Sequence, residues 1–158
     1  MKIRVCFVCT GNICRSPTAG AIFRHLVTSR GIEHRFTVES AGMHGWHVGE
    51  LAHPPTRAEA ESRGVPITSR ARQWKRDDFH RYDYVVGMDR GHVEALLRMA
   101  PSEEARAKVH LFRDFDPASR GRDVPDPYYE GGYDHVFDVC DAAARAMLDE
   151  LLERHSIR

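Results

Sequence analysis

The chain has no surplus of charge: 23 Lys and Arg balance 23 Asp and Glu. That excludes a whole-molecule basic field for nucleic acid and a basic tail for a membrane surface. Any anion must therefore be held by a local group of residues. Long apolar runs are missing too. Nothing approaches the ~20 apolar residues of a membrane span. The apolar start of the chain is broken by Thr10-Gly11-Asn12, too early for a secretory h-region. Cysteine is scarce. Of four in all, three cluster at Cys6, Cys9 and Cys14, and none falls between residues 41 and 139. This is no secreted disulfide framework, so reduced thiols and a cytoplasmic location are expected. Internal repeats and low-complexity segments are absent.

What remains is an ordinary globular composition, 42% hydrophobic and 29% charged, on 158 residues. One domain over residues 1–158, with a real core, suits that length. Ile3 to Val8 reads as a buried strand, with Cys6 a small core residue in it and Cys9 just past its end. Ser16 is placed to cap a helix, with Pro17 at its first position. Ala19, Ile22, Phe23, Leu26 and Val27 supply the apolar face, and Gly31 stops it. "RFTVESAG" alternates as a second strand. Residues 43–55 read as a surface loop, and "PTRAEAESRG" as a helix ended by Gly64. "YDYVVGM" and "KVHLF" are the third and fourth strands, separated by a helix capped by Asp89. The stretch 113–132, rich in Asp, Pro and Gly, reads as mostly loop. Val136, Phe137, Cys140, Ala144, Met147, Leu148, Leu151 and Leu152 recur at helical spacing and predict a long last helix. Alternating strands and helices predict a doubly wound α/β domain: a four-stranded parallel sheet with helices on both faces. Ligands bind such sheets at the carboxyl ends of the strands, where Cys9 falls.

The turn from Cys9 to Arg15, "CTGNICR", fits an anion cradle. Backbone N–H groups of Thr10, Gly11, Asn12, Ile13 and Cys14 can curl inward as a nest, and Gly11 and Asn12 tolerate left-handed conformations. Arg15 offers a planar fork to two phosphate oxygens. The amides, the helix N-terminus and Arg15 all place positive charge beside the sulfur of Cys9. A thiolate below a bound phosphate is an in-line nucleophile. Ser16 is placed to donate a hydrogen bond to that sulfur. A zinc site would need more ligands, and no histidine stands at the right spacing from Cys9 and Cys14. A nucleotide P-loop would need a lysine that this turn lacks. No metal site is expected in this turn. For the general acid, spacing does not choose among Asp114, Asp116, Asp123 and Asp126.

"CTGNICRSP", "VESAG", "ARQ", "DYVVGMD" and "DPYYEG" together resemble the low-molecular-weight protein tyrosine phosphatases along the whole chain. The resemblance implies hydrolysis of phosphotyrosine in proteins and of aryl phosphates through a cysteinyl-phosphate, without a cofactor. It implies Cys9 as nucleophile, Arg15 as phosphate ligand and Asp126 of "VPDPYYEG" as general acid. Asn12 and Ser40 correspond to a pair that braces the loop. Asp89 corresponds to an aspartate that ties the central helix to it, although a helix cap alone accounts for Asp89 equally well. Trp46, Tyr128 and Tyr129 become walls of a slot for an aromatic ring. Cys14 matches a cysteine that in some relatives traps the oxidised nucleophile as a disulfide. The family often has a histidine before "ARQ"; here Ser69-Arg70 stands there, so the brace must be built differently. The implied partner is a phosphotyrosine-containing protein or peptide, bound by a monomer or weak dimer. Rival readings fare worse. A three-cysteine arsenate reductase needs a mid-chain cysteine pair. A redox sensor using Cys9 and Cys14 without catalysis is a second rival, and a phospho-ligand sensor that has lost turnover is opposed by Asp126 beside Cys9, Arg15 and Ser16.

Overall fold

The computed structural model describes residues 1–158. Four strands, β1 (Ile3–Cys9), β2 (Phe36–Gly42), β3 (Tyr84–Gly87) and β4 (Val109–Leu111), form one parallel sheet in the order β2-β1-β3-β4. The helices are α1 (Arg15–Ser29), α2 (Pro54–Ser62), α3 (Arg90–Met99), α4 (Glu103–Arg106), α5 (Pro127–Glu130) and α6 (Tyr133–Arg154). The chain leaves β1 for β2 on one side and later returns to β3 on the other. The strand order therefore reverses beside the end of β1, where such sheets open a crevice.

Strand alternation sorts β1 between two cores. Ile3, Val5, Phe7 and Cys9 face a large core shared with α1, α2 and α6, whereas Cys6 and Val8 face a smaller one with Trp74, Phe79, Tyr82, Val85 and Leu96. Phe7 packs on Phe23 and Phe112 at ring-centroid distances of 5.8 and 5.2 Å. The predicted apolar face of α1 is buried along its length. Its end is a Schellman motif: Gly31 at φ 69° sends its amide to Thr28 O, and Ile32 sends its amide to Val27 O.

Several expectations need correction. Cys9 is the last residue of β1, paired in register with Gly42, not a residue beyond it. Ser16 does not cap α1. The helix starts at Arg15 with Cys14 in the capping position and no side-chain cap bond. Pro17 therefore sits two residues into the helix, still within the first turn, where a missing N–H costs nothing. The acidic stretch is mostly loop as expected, interrupted by a 3₁₀ turn at Phe112–Phe115 and by α5 at Pro127–Glu130. Left-handed geometry in the cradle belongs to Asn12 (φ 59°) and not to Gly11. Gly11 serves a close approach instead: a Cβ there would lie 3.0 Å from Cδ2 of His47.

Candidate active site

The cradle is the turn from the end of β1 to the start of α1. Its carbonyls are anchored outward. Cys9, Thr10 and Ile13 accept from the amides of Met43, His44 and His53 at 2.8, 3.0 and 2.8 Å. A turn anchored this way leaves its amides for the concave side. Below it lies Cys9, only 3% exposed. Its sulfur is 3.0 Å from Oγ of Ser16. Freed from capping, Ser16 holds its hydroxyl between that sulfur and the carbonyl of Ala41 at 3.4 Å. When the sulfur is an anion, Ser16 must be the donor.

Asn12 braces the turn. Its Nδ2 donates to Oγ of Ser16 at 2.8 Å and Oγ of Ser40 at 2.9 Å, and its Oδ1 accepts from the Arg72 amide at 3.0 Å. A main-chain amide of "ARQ" thus meets Asn12 without a histidine before it. The segment is pinned in turn by Gly42 N to Arg72 O at 2.8 Å and Trp74 N to Gly42 O at 2.7 Å.

Arg15 is buried under the cradle. Nη1 donates to Oδ2 of Asp89 at 2.8 Å and to the carbonyl of Val124 at 3.2 Å. Nη2 is held more loosely, by Oγ1 of Thr10 at 3.4 Å and Oδ2 of Asp126 at 3.5 Å. Burial works against the Arg15 charge, but the neighbouring Cys9, Asp89 and Asp126 outweigh it and hold the guanidinium protonated. Asp89 does both things open in the sequence. Its Oδ1 caps α3 by accepting from the His92 amide at 2.8 Å, while Oδ2 takes Arg15. Burial pushes its carboxyl up, but the His92 amide and ring and Arg15 prevail and hold it below the usual range.

Asp126 reaches the same place from the far end of the chain. It caps α5, accepting from the Tyr128 amide at 3.0 Å, and its second oxygen faces Arg15. Asp123 instead accepts from the Arg90 amide, and Asp114 from the Gly121 amide. Cys9, Thr10, Gly11, Ile13, Cys14, Arg15, Trp46, His47, Asp126, Tyr128 and Tyr129 line one cavity of about 350 Å³. Trp46 stacks on His44 with ring centroids 4.1 Å apart, and Tyr128 meets Tyr129 edge to face at 5.0 Å. Tyr129 is 86% exposed, so this wall stands open to solvent.

Burial holds the remaining thiols in their neutral form. It pushes Cys14 up to about 11 and Cys140 up to about 12, and raises Cys6 further. All four cysteines are free. Two histidines were missed by sequence reasoning. His47 belongs to a segment read as surface, yet its ring lies against Gly11 and lines the cavity. His92 is buried under Thr10, and its position two residues after a helix start carries no sequence signal for that contact. No group of three or more His, Cys, Asp or Glu side chains is placed to hold a metal ion.

Residues 4–156 match the family model described as low molecular weight phosphotyrosine protein phosphatase. A low molecular weight protein-tyrosine-phosphatase of Streptomyces coelicolor is 47% identical over 158 residues, covering 98% of this chain and 96% of its own. The low molecular weight phosphotyrosine protein phosphatase of Homo sapiens is 34% identical, covering 92% of this chain and 94% of its own. Among solved structures, YfkJ from Bacillus subtilis superposes with a TM-score of 0.93 at 34% identity, covering 98% of this chain and 97% of its own.

Proposed function

The chain belongs to the low molecular weight phosphotyrosine protein phosphatase family, and on that premise we propose how its own residues carry the reaction. The enzyme is a cysteine-dependent hydrolase of phosphotyrosine and aryl phosphate monoesters that works through a cysteinyl-phosphate. In the first step the Cys9 sulfur attacks phosphorus in line with the departing phenol oxygen. The P–O bond breaks as the S–P bond forms, and the carboxyl of Asp126 gives its proton to the leaving oxygen. In the second step Asp126 takes a proton from water, the water oxygen attacks phosphorus, and sulfur departs as thiolate. Ser16 donates to that sulfur in both states.

The cradle amides from Thr10 to Arg15 and the Arg15 fork hold the equatorial phosphate oxygens. Their charge builds where these donors already point, so little reorganisation is needed. The loosely held Nη2 of Arg15 is the arm that turns from Asp126 to the phosphate, while Asp89 fixes the other arm. Trp46, Tyr128 and Tyr129 flank the aryl ring of the substrate. The observation that carries this division is one cavity in which the Cys9 sulfur, Arg15 and Asp126 meet, from positions 9, 15 and 126 of the chain.

Residues 1–158 act as one domain, with no metal or organic cofactor taking part. The partner is a phosphotyrosine-bearing protein or peptide, approached by a monomer or weak dimer. A cytoplasmic setting is supported by four free thiols. No helix is long and apolar enough to cross a membrane.

The test is hydrolysis of phosphotyrosine and of an aryl phosphate with a good leaving group, without added metal. Cys9→Ser falls to background on both. Asp126→Ala loses about 10²–10⁴-fold on phosphotyrosine, the range of a positioned general acid, and much less on the activated ester. Activity retained by Cys9→Ser, or equal losses on both esters for Asp126→Ala, refutes the assignment.

A further inference from the structure

His92 meets Thr10 at the rim of the cradle, with Nε2 2.8 Å from Oγ1. Its partners decide which atom donates. The Asp89 amide donates to Nδ1 at 3.2 Å. Nδ1 also lies 3.3 Å from Oδ1 of Asp89, but that oxygen accepts from the His92 amide at 2.8 Å, and the hydrogen bond made at Nδ1 is the one it accepts from the Asp89 amide. Nδ1 is therefore the bare nitrogen and Nε2 carries the hydrogen. His92 therefore donates to Thr10. Burial reinforces this neutral form by pushing the imidazole down to about 4. Oγ1 also receives the Arg15 Nη2 donor at 3.4 Å. With both lone pairs of Oγ1 engaged, its own proton is what the hydroxyl has left to offer. That O–H has no acceptor within the protein, and Thr10 lines the cavity beside Arg15.

We propose that His92 is a positioning residue that turns the Thr10 hydroxyl into a donor to the bound phosphate, adding a side-chain ligand to the main-chain cradle. The relay runs from the Asp89 amide through the His92 ring to Thr10. Asp89 also holds Arg15, so one carboxylate residue at the start of α3 organises both side-chain phosphate ligands. This inference rests on the phosphatase reading.

The experiment measures inorganic phosphate as a competitive inhibitor of aryl phosphate hydrolysis. Thr10→Val, which keeps the shape, weakens inhibition by about ten- to a hundredfold, the range for a hydrogen bond to a charged group. Thr10→Ser stays near wild type. His92→Phe weakens inhibition in the wild-type background but adds nothing in Thr10→Val. His92→Gln, whose amide reaches about as far as Nε2, recovers most of the affinity. A structural role for His92 would lower the melting temperature without this dependence on Thr10. Equal phosphate inhibition of Thr10→Val and wild type overturns the inference and leaves the phosphatase reading intact. So does a His92→Phe loss that multiplies with Thr10→Val. If His92→Phe does not fold, the Thr10→Val and His92→Gln pair decides. A wild type that neither hydrolyses the ester nor binds phosphate overturns both readings.

Discussion

Replacing Asn12 by alanine measures how firmly the cradle is held. Asn12 is 2% exposed and makes three side-chain hydrogen bonds at 2.8–3.0 Å. Each contributes a net ~1 kcal/mol, and the Arg72 amide is left without its acceptor. The residue also sits at φ 59°, where alanine costs about 1 kcal/mol and asparagine is tolerated. The expected loss is about 4 kcal/mol. Ser40→Ala removes one of the same bonds and costs about 1 kcal/mol. Since the two residues share that bond, the double variant costs about 1 kcal/mol less than the sum of the singles. Urea unfolding at pH 7 with a common slope reads these values, and kcat/KM on an aryl phosphate reads the cradle. A loss under about 1 kcal/mol for Asn12→Ala, against three such bonds, refutes the view that this side chain braces the turn. Strict additivity in the double variant refutes it as well.

Other predictions concern the same region. His92 holds its folded value near 4 against an ordinary 6.5, so between these the unfolded chain binds more protons and stability falls as pH falls. Asp89, Arg15, Asp126 and Asp123 are the charged groups facing it. Wild type should lose about 2 kcal/mol more than His92→Gln between pH 7 and pH 5 in urea titrations; parallel titrations refute the assignment. Gly42→Ala should cost about 1–3 kcal/mol by overpacking and weaken phosphate binding. Its Cβ would meet Asn12 N and Gly11 C at 3.0 Å and His44 O at 3.1 Å, all main-chain atoms that cannot swing away. An unchanged unfolding midpoint would show that the turn yields. Peroxide should inactivate the enzyme by oxidising Cys9 to a sulfenic acid, with which the Cys14 thiol condenses to a disulfide with loss of water. Thiol then restores wild type but not Cys14→Ser, and equal recovery of the two removes the protective role.

Much of the fold was legible because it rests on local periodicity. The alternating "RFTVESAG", the helical spacing from Val136 to Leu152 and the stop at Gly31 each depend on neighbours within a few residues. The cradle was legible for the same reason, since Cys9, Gly11, Asn12, Arg15 and Ser16 lie in one turn. Its internal division of labour was not. Ser16 is a good capping residue by type, but the Cys9 sulfur, Asn12 and Ala41 hold its hydroxyl. Gly11 and Asn12 both suited a left-handed position by type, and the structure uses Asn12 alone.

By itself, then, the sequence determined the order of the strands and long helices, the parallel sheet, the turn from Cys9 to Arg15 and, through its motifs, the family. Tertiary structure alone decided which distant groups complete the turn. Spacing left Asp126 one of four acidic candidates and only the family motif singled it out; the fold sets its carboxylate 3.5 Å from Arg15. The brace supplied by the Arg72 amide is a main-chain group, which no side-chain motif reports. His92 reaches Thr10 because β3 lies beside β1 and starts α3 next to the cradle. The physical reason is the same in each case. Periodicity and turn chemistry act over a few residues, whereas these contacts span 60 to 111 positions and exist only once the sheet has brought the strand ends together.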